Sequence, residues 1–182
     1  QESKMRASIW ILGALLSRFG IAEVSMPGGC AIGARQIDLH IDSLKALGAD
    51  IKIKGGYIYA KTKKALRGTN YHFRLKSVGA TINAILASVL AIGESNFTGC
   101  AQEPEITDLC NFLNSLGAKI SGVGSEHLKV VGVKKLNGSN YNIIPDRIEA
   151  GTYMIAAAIT GGDITFEGIN MALLENLRQK IC

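Results

Sequence analysis

Ser43-Leu44-Lys45-Ala46-Leu47-Gly48-Ala49-Asp50-Ile51 decides how this chain is read, because it returns downstream as Asn114-Ser115-Leu116-Gly117-Ala118-Lys119-Ile120. Its followers return with it. Leu66-Arg67-Gly68 and Tyr71 are echoed by Leu136-Asn137-Gly138 and Tyr141. A period of roughly 70 residues is the mark of a repeated supersecondary unit. A second element recurs three times: Arg6-Ala7-Ser8, Gly79-Ala80-Thr81 and Ala150-Gly151-Thr152 each open an apolar, alanine-rich helix expected to lead into a short strand.

Ile37, Ile41, Leu44 and Gly48 share one helical face, so the helix before the first Leu-Gly-Ala is amphipathic and half exposed. Leu-Gly-Ala ends it, with glycine at the left-handed capping position. Ile51 and Ile53 then alternate with Lys52 and Lys54, and Gly55-Gly56 turns the chain into Tyr57-Ile58-Tyr59. That pattern predicts a half-buried hairpin. Ile82–Leu90 and Tyr153–Ile159 are apolar on nearly every face, which predicts helices buried at a domain centre. The fold class is α/β, built of stacked helix–strand units.

The chemistry concentrates in Pro27-Gly28-Gly29-Cys30-Ala31-Ile32-Gly33-Ala34-Arg35. Its three glycines lift the side-chain restraint on backbone conformation. Arg35 and the N-terminus of the helix that follows would attract anions, phosphate in particular. The same positive field favours the thiolate of Cys30. Gly99-Cys100-Ala101 is the counterpart one repeat later, but Gln102-Glu103-Pro104-Glu105 follows it. Carboxylates there disfavour a thiolate and repel phosphate. Cys30 is therefore the candidate functional thiol, and Cys110, in the apolar helix Ile106–Leu116, reads as inert core.

Four strings, in order along the chain, resemble the enolpyruvyl transferase family on its UDP-N-acetylglucosamine branch: KMRASIW, PGGCAIGARQIDLHIDSLKALGA, SVGAT at Ser77–Thr81 and PDRIEAGTY at Pro145–Tyr153. The resemblance implies an inside-out α/β barrel, with buried helices, outer sheets and pseudo-threefold symmetry. It implies two such domains around a cleft, with residues 1–143 forming most of the loop-bearing one and residues 144–182 the start of the other. The chain is then expected to be an internal fragment, inactive alone, since a lysine near the N-terminus and second-domain aspartate and arginines are not in it.

The reaction implied is transfer of the enolpyruvyl group of phosphoenolpyruvate to the 3′-hydroxyl of UDP-N-acetylglucosamine, releasing phosphate, without a cofactor, in peptidoglycan synthesis. Cys30 would be the proton donor and the target of fosfomycin, and Arg35 would hold phosphate-bearing ligands. Arg6 would contact the nucleotide sugar, a surface salt bridge being its plainer reading. Gln36, Ile37, Asp38 and Leu39 would receive the nucleotide end, partly through backbone groups. Ser77, Val78 and Gly79 would form a second ligand-binding stretch, with Ser77 also a plain helix cap. Lys76 would join them as a substrate-binding residue; some relatives have lysine where Leu75 stands, and whether Lys76 takes its place is open.

Composition agrees with this reading. With 182 residues and 47% hydrophobic content, the chain can bury a sizeable core. No apolar run reaches the roughly 18 residues that a membrane span needs. The formal charge of +5 suits anionic ligands, although Lys61, Lys63, Lys64 and Arg67 read as a solvated face. Four cysteines without a Cys-x-x-Cys pair argue against zinc and fit a reducing cytoplasm. His40, His72 and His127 lie on separate elements; His40 follows Gln36 by one helical turn and would border the site, a structural role being its plainer reading. Three alternatives are a shikimate-pathway enolpyruvyl transferase, which is not expected to carry the Gly-Gly-Cys loop, a protein like the RNA 3′-phosphate cyclases, and a catalytically dead structural paralogue, which the intact Cys30–Arg35 pair speaks against. The second would need clustered basic and aromatic residues, and aromatics are only 6%.

Overall fold

The computed structural model describes residues 6–27 and 37–181, with side chains from Ser8 onward. Cys30, Arg35 and Gln36, and the side chain of Arg6, fall outside it. The chain divides between Tyr141 and Asn142 into two compact units.

The first unit opens with a one-turn 3₁₀ helix, Arg6–Ile9, that runs into α1 (Trp10–Phe19). There follow β1 (Ile21–Ser25), α2 (Asp38–Ala46), β2 (Asp50–Lys54), β3 (Tyr57–Lys61) and β4 (Asn70–His72). The series then repeats as α3 (Val78–Ser88), β5 (Glu94–Thr98), α4 (Pro104–Ser115), β6 (Lys119–Ser121) and β7 (His127–Val131). One sheet has the order β1-β3-β2 and is antiparallel throughout. The other has the order β4-β5-β7-β6, with only the β4–β5 pair parallel. Helices form the inner layer: α1, α2 and α4 all pack on α3, and the sheets cover them from outside. The core is made where they meet, from Leu12, Leu16, Leu44, Ala84 and Ile85, all at 1% exposure or less.

The Leu-Gly-Ala signal marks the same structure twice. Gly48 and Gly117 sit at φ 95° and 96°. The Gly48 and Ala49 N–H groups donate to the Lys45 and Leu44 carbonyls, as those of Gly117 and Ala118 do to Asn114 and Leu113. Each is a left-handed helix stop that satisfies the last carbonyls. The far markers close on the same turn: the N–H of Arg67 donates to the Leu47 carbonyl at 2.9 Å, and that of Asn137 to the Leu116 carbonyl at 2.8 Å. Gly55 and Gly56, both at positive φ, make the hairpin turn between β2 and β3.

The second unit holds α5 (Arg147–Thr160), a 3₁₀ turn Met171–Leu174 and α6 (Glu175–Ile181). Asp146 caps α5, its carboxylate accepting from the N–H groups of Ile148 and Glu149. Two expectations fail here. Tyr153–Ile159 is not buried: Tyr153 is 55% exposed, Ile155 44% and Ile159 78%, and α5 buries only Ala150 and Gly151. An apolar surface is buried only if something packs on it, and this unit offers α5 little beyond one turn and one short helix. Nor does a strand follow α5 among the described residues, since the unit holds no neighbouring strand to pair with it.

Candidate functional site

The starts of α2 and α3 carry the described part of the expected binding residues. Ile37 is the residue before α2, and Asp38 and Leu39 are its first two. Ile37 and Leu39 turn their side chains to the core, so what they can offer a ligand is backbone. Asp38 puts a carboxylate at the positive end of α2. There it pairs with Arg74, from the approach to α3.

Ser77 caps α3, its Oγ accepting from the Ala80 N–H at 3.3 Å. The N–H groups of Val78 and Gly79 then have no partner within the helix, as helix geometry requires of a first turn. At Gly79 there is little room for a side chain: a Cβ there would lie 3.0 Å from the Trp10 Nε1 and 3.2 Å from the His40 Nε2. The rings of α1 and α2 thus close directly on the start of α3. Lys76 points elsewhere, to Glu126 at 3.2 Å, between β6 and β7. Of the two cations before α3, Arg74 and not Lys76 meets the α2 segment.

The residue that sequence reading missed is Asn83, fully buried in α3. Its Oδ1 accepts from the Gly13 N–H at 2.8 Å, and its Nδ2 donates to the Ile9 carbonyl at 3.1 Å. The Nδ2 also lies 3.2 Å from the His40 Nδ1. One amide therefore joins α1, α2 and α3. The signal was present as a single asparagine inside an otherwise apolar helix, since a buried polar group must find partners.

The counterpart cysteine is held as a thiol, as expected, but not by the carboxylates that follow it in sequence. Cys100 is wholly buried, and burial comes first in pushing its thiol up to about 11. The carboxylate that adds to this is Glu126, from the facing hairpin, and not Glu103 or Glu105. The Cys100 N–H is spent on the Glu126 carbonyl and the Ala101 N–H on the Thr81 Oγ1. Burial pushes Cys110 up to about 12. No cluster of metal-ligating side chains occurs among the described residues, and none of their helices is long and apolar enough to cross a membrane.

The family described as EPSP synthase (3-phosphoshikimate 1-carboxyvinyltransferase) matches residues 1–181. The chain belongs to this EPSP synthase family. Among relatives in the family, it is 59% identical over 178 residues to the UDP-N-acetylglucosamine 1-carboxyvinyltransferase of Rickettsia bellii (strain OSU 85-389), and 58% identical to that of Rickettsia canadensis (strain McKiel). These alignments take in 98% of this chain and 42% of each relative, so the chain spans less than half their length. Among solved structures, an EPSP synthase of Acinetobacter baumannii superposes with a TM-score of 0.69 at 26% identity, over 95% of this chain and 40% of that one. The enolpyruvyl transferase NikO of Streptomyces tendae does so with a TM-score of 0.67 at 23% identity, over 82% and 36%, a likeness of fold. Helices within and sheets without are thus the family's α/β architecture, of which this chain supplies a part.

Proposed function

We propose that the protein to which this chain belongs transfers the enolpyruvyl group of phosphoenolpyruvate to the 3′-hydroxyl of UDP-N-acetylglucosamine, releasing phosphate. The observation that carries the reading is the 59% identity, over almost the whole chain, to proteins named for that activity, against 26% to an EPSP synthase. The Gly-Gly-Cys loop agrees with it. In this reading Cys30 delivers the proton to the enol carbon, and Arg35 meets the phosphate charge. Gln36, Ile37, Asp38 and Leu39 receive the nucleotide end, with Ser77, Val78 and Gly79 beside them. Arg6 reaches the nucleotide sugar. Lys76, next before Ser77, is read with Ser77, Val78 and Gly79; its ammonium pairs with Glu126 across the surface, while Arg74 pairs with Asp38.

Residues 1–143 are read as most of the loop-bearing domain and 144–182 as the start of the second. The setting is cytoplasmic cell-wall synthesis in a dividing bacterium, and the protein is a fosfomycin target. The test is turnover by the full-length protein with phosphoenolpyruvate and either UDP-N-acetylglucosamine or shikimate 3-phosphate. Phosphate release with the first acceptor only is expected. Release with the second instead would move the protein to the other branch.

A further inference from the structure

We propose that Asn83 is a positioning residue for nucleotide-sugar binding, setting the starts of three helices against one another and holding His40 with its proton on Nε2. The proposal rests on the function proposed above. Two backbone groups decide which way the amide faces. The Gly13 N–H can only donate and the Ile9 carbonyl can only accept, so Oδ1 faces the first and Nδ2 the second. In a regular α-helix those two groups, four residues apart, bond to each other. Asn83 adds its amide to this same pair, Oδ1 to the Gly13 N–H and Nδ2 to the Ile9 carbonyl, where the 3₁₀ turn Arg6–Ile9 gives way to α1. The direction in which the turn bearing Arg6 leaves α1 is thereby set by a side chain of α3.

The same Nδ2 faces the His40 Nδ1, which must then accept, leaving the ring proton on Nε2. That nitrogen is the one turned toward Gly79, in the first turn of α3. His40 itself lies in the first turn of α2, directly after the Ile37–Leu39 segment. A single buried amide therefore fixes the relative placement of three binding segments: Arg6, Ile37–Leu39 and Ser77–Gly79. Small displacements of positioning groups are costly to binding and catalysis.

The test uses the full-length protein. Asn83→Asp keeps the shape and the bond from Gly13 but replaces the donor with an acceptor. It is expected to raise the KM for UDP-N-acetylglucosamine roughly tenfold or more while kcat changes less than about threefold. Imidazole 15N NMR should show the His40 proton on Nε2 in the wild type and on Nδ1 in the variant. Gly13→Ala attacks the same contact from α1, since its Cβ would collide with the Asn83 Oδ1 and with the Asn83 backbone carbonyl oxygen. It should raise KM in the same way, and the double variant should be little worse than the stronger single one. A merely structural amide would lower the melting temperature and leave KM alone.

An unchanged KM in folded Asn83→Asp overturns the proposal, as does wild-type His40 protonated on Nδ1. Should Asn83→Asp not fold, Gly13→Ala and the wild-type spectrum decide. A wild type that turns over neither acceptor overturns the functional reading, and this one with it. An active wild type with an indifferent Asn83 overturns only the positioning role.

Discussion

The units α2–β2–β3 and α4–β6–β7 are alike down to single hydrogen bonds, yet they differ at the residues that precede their helices. In the second, Cys100 and Ala101 are built into the core, their N–H groups bonded to Glu126 and Thr81 and the thiol wholly buried. Pro104 then starts α4 with Glu103 and Glu105 on either side. In the first, glycines and Arg35 stand in the matching stretch of sequence, and the helix opens on Asp38, which is paired across to Arg74. A repeat reproduces a scaffold, and the segment entering each helix decides what the scaffold is used for. Comparing cysteine with cysteine and glycine with glycine across the repeat is therefore a way to separate function from architecture.

The largest difference is expected at the two loop cysteines. In the full-length protein, Cys30→Ala should lower kcat by roughly 10²–10⁴, the range for losing a general acid, while Cys100→Ala leaves kcat within a few fold. Fosfomycin with UDP-N-acetylglucosamine should add one adduct, at Cys30, by peptide mass spectrometry. Cys30→Asp should keep some turnover and take no label, since a carboxyl delivers a proton but is a poor nucleophile toward an epoxide. An adduct on Cys100 would erase the contrast.

Next is Arg35→Ala, expected to weaken phosphorylated ligands by roughly 2 kcal/mol in calorimetry, as for a charge-assisted contact. Equal affinity in wild type and variant would remove Arg35 from the site. The glycines, by contrast, should show no difference between the units. Gly48→Ala and Gly117→Ala each place a Cβ at positive φ, costing about 1–2 kcal/mol of stability in denaturant titrations. Unequal losses would mean that the two turns are not equivalent.

The smallest effect is one of pH. Burial raises the Cys100 and Cys110 thiols to about 11 and about 12. The folded chain therefore keeps protons that the unfolded chain releases above its ordinary thiol pKa, near 8.5. Stability from these groups is complete below that pH and falls as pH rises through 9 toward 11. Denaturant midpoints at pH 8 and 10.5 should show the loss. A midpoint that rises over that interval would contradict the burial.

Much of the scaffold was legible in the sequence because it depends on local rules. Leu-Gly-Ala reads as a helix stop since only glycine tolerates the left-handed position, and β2 and β3 read as a hairpin since their side chains alternate about Gly55-Gly56. The inertness of Cys100 is inferred in the sequence from Glu103 and Glu105, but its causes are burial and Glu126, which only the fold brings to it. Asn83 was not legible as a hub. Its partners Gly13 and His40 lie 70 and 43 residues away in sequence, and no periodicity states which helix an isolated polar residue will face.

Tyr153–Ile159 shows the same limit from the other side, because apolar composition describes what a helix could bury and not what is there to cover it. By itself the sequence determined the repeating elements and their stops, all set by residues within a turn or two of one another. Only the tertiary structure decided which helix starts meet, that Arg74 and not Lys76 faces Asp38, and that one amide ties three helices together. Those outcomes follow from packing between distant segments, where burial forces each polar group to find whatever partner the fold brings near it.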